Sequence, residues 1–158
     1  MRFLYVNLVS DIRGYRRLAG SGDSVDDLSC FLRTIGYDFD ILLKMIAEDD
    51  INVGVSGSYI FTVEPNIYIG YEFDGLTEGQ SIVLKDDGRY FFRTTKQGFI
   101  DLINKWVKVH EQRPPGISIK ETSKDVWQVK AMTEQQVAHY KSIADPISGL
   151  LPDDEAKS

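Results

Sequence analysis

Side chains that commonly perform nucleophilic or acid–base chemistry are scarce in this chain, which has two histidines, His110 and His139, and one cysteine, Cys30. A serine or cysteine hydrolase needs an exposed nucleophile beside a histidine base. Neither histidine lies near a Gly-x-Ser-x-Gly turn or a cysteine-protease signature. Leucine and phenylalanine surround Cys30, which favours a buried thiol over a reactive one. The sequence therefore predicts no catalytic residue and no enzyme activity.

The sequence also predicts no metal site and no cofactor. One cysteine and two histidines cannot build a closed zinc site of the usual kinds. The acidic runs Glu48-Asp49-Asp50 and Asp86-Asp87-Gly88 lack the alternating ligands and closing glutamate of a calcium-binding EF-hand loop. The glycines are scattered through the chain, and none forms a loop that cradles phosphate.

Carboxylates are abundant, and their distribution along the chain is uneven. Residues 23–87 hold fourteen acidic side chains and three basic ones, whereas residues 88–143 hold ten basic and five acidic ones. The formal net charge is −6. An acidic surface of this kind attracts basic protein surfaces and repels the phosphates of nucleic acid. We therefore predict a basic protein as partner and no direct binding to nucleic acid.

Several tyrosines accompany these acids, which suits a protein interface. A tyrosine ring supplies rigid contact area, and carboxylates pair with lysine or arginine of the partner. The alternative interpretation is a solvated acidic surface that only maintains solubility. The predicted partner-binding residues are Tyr37, Asp38, Asp40, Glu48, Asp49, Asp50, Tyr68, Glu72, Asp74 and Glu78.

Three helices are predicted from apolar residues at helical spacing. The first begins at Ser24, keeps its apolar face through residues 28–46, and ends at the acidic run 48–50. The second is capped by Thr94, buries a stripe along residues 99–110, and ends before Pro114. The third is capped by Thr133 and continues to about residue 144.

Alternating residues and turn signals predict the strands. In the strand 67–73, Ile67 and Ile69 should face the core, while Tyr68 and Glu72 should face outward. The arginine-rich residues 10–23 are predicted to form a loop because three glycines interrupt them. The predicted strands cover residues 2–9, 59–63, 67–73, 81–85, 89–93, 117–121 and 126–131, with tight turns at residues 64–66 and 86–88.

Closely spaced hairpins predict an α+β fold, with a mostly antiparallel β-sheet and about three helices packed on it. At 158 residues the chain should form a single domain over residues 1–145. An acidic tail, residues 146–158, should follow and be disordered at its end. The sequence has no signal-peptide pattern and no apolar run long enough for a membrane helix, so we expect a cytoplasmic protein and no membrane contact.

A small, acidic, single-domain α+β chain of this kind resembles the immunity proteins of bacterial polymorphic toxins, including contact-dependent growth inhibition systems. The similar stretches are residues 31–40, 68–75 and 86–106. No shared motif transfers a functional residue. The resemblance implies one-to-one neutralisation of a cognate toxin domain, often a basic nuclease. Two alternatives remain: a non-catalytic adaptor, chaperone or regulatory module, and a small enzyme whose site holds His110, His139 or a carboxylate.

Overall fold

In the part of the chain that it describes, the computed structural model has an α+β fold of eight strands and three helices with defined bounds. This confirms the predicted fold class. The described residues are 3–8, 15–19, 28, 31–32, 39–48, 52–55, 58–71, 92–147 and 152.

All strand pairings among the described residues are antiparallel, as predicted, and the strands form two sheets. Sheet 1 has the order β2-β1-β7-β8, and sheet 2 has the order β3-β4-β5-β6. In chain order the strands are β1 (Phe3–Leu8), β2 (Tyr15–Ala19), β3 (Asn52–Val55), β4 (Ser58–Val63), β5 (Asn66–Tyr71), β6 (Phe92–Thr95), β7 (Gly116–Ser123) and β8 (Val126–Met132).

The helices are α1 (Phe39–Glu48), α2 (Lys96–Glu111) and α3 (Glu134–Ile143). The apolar faces of α1 and α2 pack with both sheets in one main core. Leu28, Phe31 and Leu32, also in helical conformation, join this core. The buried helix residues confirm the apolar stripes predicted from the sequence: Phe39, Leu42 and Ile46 of α1, and Phe99, Leu102, Ile103 and Trp106 of α2.

Helix α2 begins one residue later than predicted, because Thr94 belongs to β6. The Thr94 side chain is fully buried, and its Oγ1 accepts a hydrogen bond from Trp127 Nε1 at 3.0 Å. This contact keeps residue 94 in the strand. Thr95 is the N-cap instead, and its Oγ1 accepts from the Gly98 amide at 3.0 Å.

The prediction of a loop over residues 10–23 is wrong for residues 15–19, which form β2. Arg16 and Arg17 are paired in register with Asn7 and Val6 of β1. The loop was predicted because Gly14, Gly20 and Gly22 interrupt residues 10–23. Gly14 and Gly20 flank residues 15–19 in the sequence and do not interrupt them. The short edge strand β3 was likewise not predicted.

The C-terminal hairpin and α3 follow the predictions closely. Strands β7 and β8 are joined at Lys124 and Asp125, and Thr133 and Gln136 form the predicted capping box. Helix α3 does not join the main core. Met132 and Val137 form a second small cluster, packed by Tyr140, Ile143 and Ala144.

Several predictions fall outside the described residues. These are the start of the first helix at Ser24, the burial of Cys30, the hairpin turn at residues 86–88 and the end of the tail. The predicted domain boundary near residue 145 stays a prediction.

Candidate functional site

The predicted partner-binding residues Asp40 and Glu48 lie exposed on α1. Between them the helix exposes two large apolar side chains, Ile41 at 64% and Met45 at 39%. Lys44 is also exposed. These five residues are called the α1 outer face below.

Helical geometry explains this arrangement. Ile41 and Met45 are one turn apart and therefore adjacent on the helix surface. They extend the apolar arc whose other part, including Leu42 and Ile46, is covered by the core. Asp40 and Glu48 lie at opposite ends of the helix. The α1 outer face thus places an uncovered apolar pair beside two carboxylates.

Tyr68 does not lie on a partner-binding surface, contrary to the prediction. Its side chain is 1% exposed and stacks on Phe61, with ring centroids 5.1 Å apart and planes 9° apart. The alternation along β5 predicted one exposed face. Tyr68 is buried on the face opposite Ile67 and Ile69, where Phe61 of β4, its partner in register, covers one side of the ring.

The other predicted site residues lie outside the described part of the chain, so the structure does not group them with the α1 outer face. They are Tyr37, Asp38, Asp49, Asp50, Glu72, Asp74 and Glu78.

A cavity of about 320 Å³ lies between the N-terminal half of α2 and the β7–β8 turn, and the sequence had not indicated it. Helix α2 brings Gly98 and two charged residues to its wall, and the hairpin brings two charged and two apolar residues. The lining residues are Thr95, Gln97, Gly98, Asp101, Lys105, Lys124, Asp125, Val126 and Trp127.

The turn at the cavity is held by Asp125, whose backbone is left-handed, with φ of 61°. Aspartate tolerates this conformation better than most residues. The Asp125 amide donates to Glu121 Oε1 at 2.9 Å, and Glu121 is only 7% exposed. The buried Glu121 carboxylate therefore holds the backbone of the turn at Asp125.

The Asp125 carboxylate connects this turn with sheet 2. Its Oδ1 lies 3.7 Å from Arg93 Nη2, with the two side chains 10% and 19% exposed. Arg93 Nη1 in turn donates to Asn66 Oδ1 at 3.2 Å. At 3.7 Å the ion pair is too long for a hydrogen bond, and Asp125 Oδ1 receives none.

Trp127 of β8 lines the cavity, and its side chain contacts β6 of sheet 2. Its indole donates to Thr94 of β6, and its ring lies 5.3 Å from that of Phe92, tilted by 45°. Its carbonyl accepts from Lys105 Nζ at 2.8 Å. Two contacts from β6 thus fix this side chain, and one from α2 holds its backbone.

The two histidines have different surroundings, and neither lines the cavity. His110 is half-buried and stacks on Trp106 with ring centroids 5.5 Å apart, whereas His139 is exposed beside Tyr140. Within the described residues no group of three His, Cys, Asp or Glu side chains could hold a metal ion. No helix in that part of the chain is long and apolar enough to cross a membrane.

The environment of His110 predicts a loss of stability in mild acid. Burial lowers its pKa below the ordinary 6.5, Arg113 adds to this shift, and Glu111 opposes it. The unfolded chain therefore binds this proton more readily than the folded one. The free energy of unfolding should fall as pH drops below 6.5 through the lowered pKa, whereas above 6.5 this group has little effect.

Urea denaturation of the wild type and of His110→Gln at several pH values between about 5 and 7.5 checks this expectation. Glutamine does not titrate, so the free energy of unfolding should fall less in the variant than in the wild type as the pH is lowered across this range. Equal losses in the two proteins would contradict the role given to His110.

The fold and the two surfaces define an α+β chain with antiparallel sheets, an acidic–apolar helix face and a small charged cavity. No family model, no curated protein and no solved structure matches this chain.

Proposed function

We propose that this chain is an immunity protein, which binds and neutralises a cognate bacterial toxin domain and performs no catalysis itself. The partner is a basic domain of the nuclease class, and binding occurs in the cytoplasm. The observation that supports this most is the α1 outer face, where Ile41 and Met45 are exposed beside Asp40 and Glu48.

The two kinds of side chain on this face have different roles in such a complex. The carboxylates, with the other acids of residues 23–87, steer a basic partner and speed association. The apolar pair is then covered, which slows dissociation. Fast association is valuable to an inhibitor that must act before the toxin does.

Affinity capture with the tagged full chain tests this function. The bait is used as wild type, as the double variant Asp40→Lys/Glu48→Lys, and as the control Glu134→Lys, which reverses an exposed acid on α3. We expect the wild type and the control to retain a basic protein at low salt. The captured domain should arrest growth when expressed alone and be harmless when co-expressed with this chain.

Binding kinetics with the captured domain then resolve the two contributions. The association rate constant of the double variant should be lower by about tenfold or more, and it should depend less on salt concentration. Ile41→Ala/Met45→Ala should mainly accelerate dissociation. A captured partner without toxicity would replace the immunity function with that of an adaptor. Unchanged kinetics in both variants would remove the α1 outer face from the mechanism.

A further inference from the structure

The α1 outer face consists of two parallel rows of side chains. Asp40, Lys44 and Glu48 follow one another at four-residue spacing and form a charged row with the signs minus, plus, minus. Ile41 and Met45 form an apolar row beside it. The charged row is about 12 Å long, at a rise of 1.5 Å per residue. The face therefore combines a groove between two rows with a definite order of charges.

The three charged side chains are not used inside the protein. Asp40, Lys44 and Glu48 are exposed, and none of them makes an ion pair or a side-chain hydrogen bond with another described residue. Side chains four residues apart on a helix can pair, but an exposed pair of this kind is weak. All three charges are therefore available to a partner.

The backbone of the partner decides which kind of element suits this face. An extended segment laid over α1 would bury N–H and C=O groups, because the side of a helix offers no free backbone groups to pair with them. A second helix satisfies its backbone internally, and one of its own rows fits the groove between the two rows of α1. At a crossing angle of about 20° the two helices stay in contact along the whole charged row.

The order of the charges argues against a second copy of this chain as the occupant. When two copies of α1 lie antiparallel with their apolar rows together, Lys44 faces Lys44 and Asp40 faces Glu48. Every charge then meets its own sign, which is unfavourable. A shift by one turn pairs Lys44 with an acid but moves Ile41 and Met45 of the two copies past each other.

The C-terminal end of α1 indicates the direction of the partner helix. Glu48 is the last residue of α1, and the last turn holds no basic side chain. This end is negative through both Glu48 and the helix dipole, so it attracts the positive N-terminal end of another helix, which then runs antiparallel to α1.

We propose that the α1 outer face binds an antiparallel helix of the toxin domain, whose charged row has the signs plus, minus, plus beside an apolar row of its own. This inference rests on the proposed function and names the element of the partner that α1 contacts. In such a pair each charge of α1 meets the opposite sign, and the two apolar rows cover each other.

The first experiment requires no toxin. Its probe is a synthetic peptide, held helical by a hydrocarbon bridge, with lysine, glutamate and lysine at four-residue spacing and two leucines in the neighbouring row. The control peptide has glutamate, lysine and glutamate at the same three positions. Each is titrated into the full chain labelled with ¹³C-methyl methionine. The probe should shift the Met45 signal saturably and leave that of Met132, which is buried in the α3 cluster, unchanged.

The comparison of the two peptides tests the order of the charges. The probe should bind at least about tenfold more tightly than the control peptide, as expected for several reversed charge pairs. Lys44→Glu in the full chain should weaken binding of the probe by about tenfold. Lys130→Glu, the same change at an exposed position of β8, should leave it unchanged. No saturable shift of Met45, or equal affinity for the two peptides, would overturn the proposal.

The captured toxin domain separates the order of the charges from their sum. Lys44→Glu makes the face more acidic, so a general attraction to a basic partner would strengthen binding. The proposed order predicts binding weaker by about tenfold, because an acid of the toxin helix then faces another acid. Lys130→Glu should not weaken binding.

Failure of this inference and failure of the proposed function give different results. Unchanged or tighter toxin binding by Lys44→Glu would overturn the proposed helix contact and leave the immunity function intact. Selective binding of the probe together with capture of a non-toxic partner would support a helix-binding face and remove the immunity function.

Discussion

Trp127→Ala is expected to lower the free energy of unfolding by about 3–5 kcal/mol, the range for truncating a buried tryptophan. The side chain is 3% exposed and fills space between β8, β6 and α2. Its removal leaves a cavity against Phe92 and leaves the buried Thr94 hydroxyl without its donor. Both losses fall at the junction of the two sheets. Guanidinium denaturation monitored by far-UV circular dichroism measures the change.

A second variant separates packing from hydrogen bonding at this position. Trp127→Phe keeps an aromatic ring and removes the Nε1 donor, so it should cost less than the alanine variant, although it also loses some volume. The double-mutant cycle of Trp127→Phe with Thr94→Val reports the coupling between the two groups. Additive effects would mean that the 3.0 Å hydrogen bond contributes little.

Gly98→Ala is expected to lower the free energy of unfolding by about 1–3 kcal/mol, although alanine is the better helix former by about 1 kcal/mol. A Cβ atom at residue 98 would lie 2.5 Å from the Asp125 carbonyl oxygen, 2.8 Å from Thr94 Oγ1 and 2.9 Å from Thr95 Oγ1. The nearest atom belongs to the backbone of the turn and cannot rotate away. The hairpin must therefore separate from α2.

The matched control is Asn104→Ala, at an exposed position of the same helix. Because alanine has the higher helix propensity, this variant should be neutral or slightly more stable than the wild type. Denaturation of both variants under the same conditions isolates the contribution of the close contact. If Gly98→Ala is as stable as Asn104→Ala, the turn does not pack against α2 as described.

The sequence predicted those parts of the fold whose signals are local. Apolar residues recur at helical spacing in residues 99–106, and Thr133 and Gln136 form a capping box. Apolar and polar residues alternate on both sides of a polar turn in residues 117–131. Each of these patterns is complete within one element, and the structure confirms all three. The antiparallel arrangement was predicted because few residues separate consecutive strands in the sequence.

Tertiary contacts determine what the sequence did not predict. Thr94 and Thr95 are equally good caps, and the choice between them depends on a hydrogen bond to Trp127, 33 residues away. Tyr68 is buried with Phe61 of the neighbouring strand stacked on its ring, which no pattern within β5 indicates. The cavity arises where the turn at Asp125 meets Gly98, so its residues share no sequence motif.

The candidate binding surface was predicted in part. Asp40 and Glu48 are exposed as expected, because charged residues opposite a buried helical stripe must face solvent. Ile41 and Met45 were not predicted as contact residues, since only carboxylates and tyrosines were selected for the interface. Helical spacing predicted the burial of Leu42 and Ile46, and the structure adds that Ile41 and Met45 are left uncovered.

The separate cluster under α3 has a consequence for how the molecule opens. Met132 and Val137 are buried against Tyr140, Ile143 and Ala144 and share no residues with the main core. Among the described residues, detaching α3 should therefore expose this small cluster and leave the two sheets packed. Stability is rarely uniform across a fold, so we expect the amide protons of α3 to exchange through local openings before those of α2. On this expectation, α3 opens as a cooperative unit of its own at the end of β8.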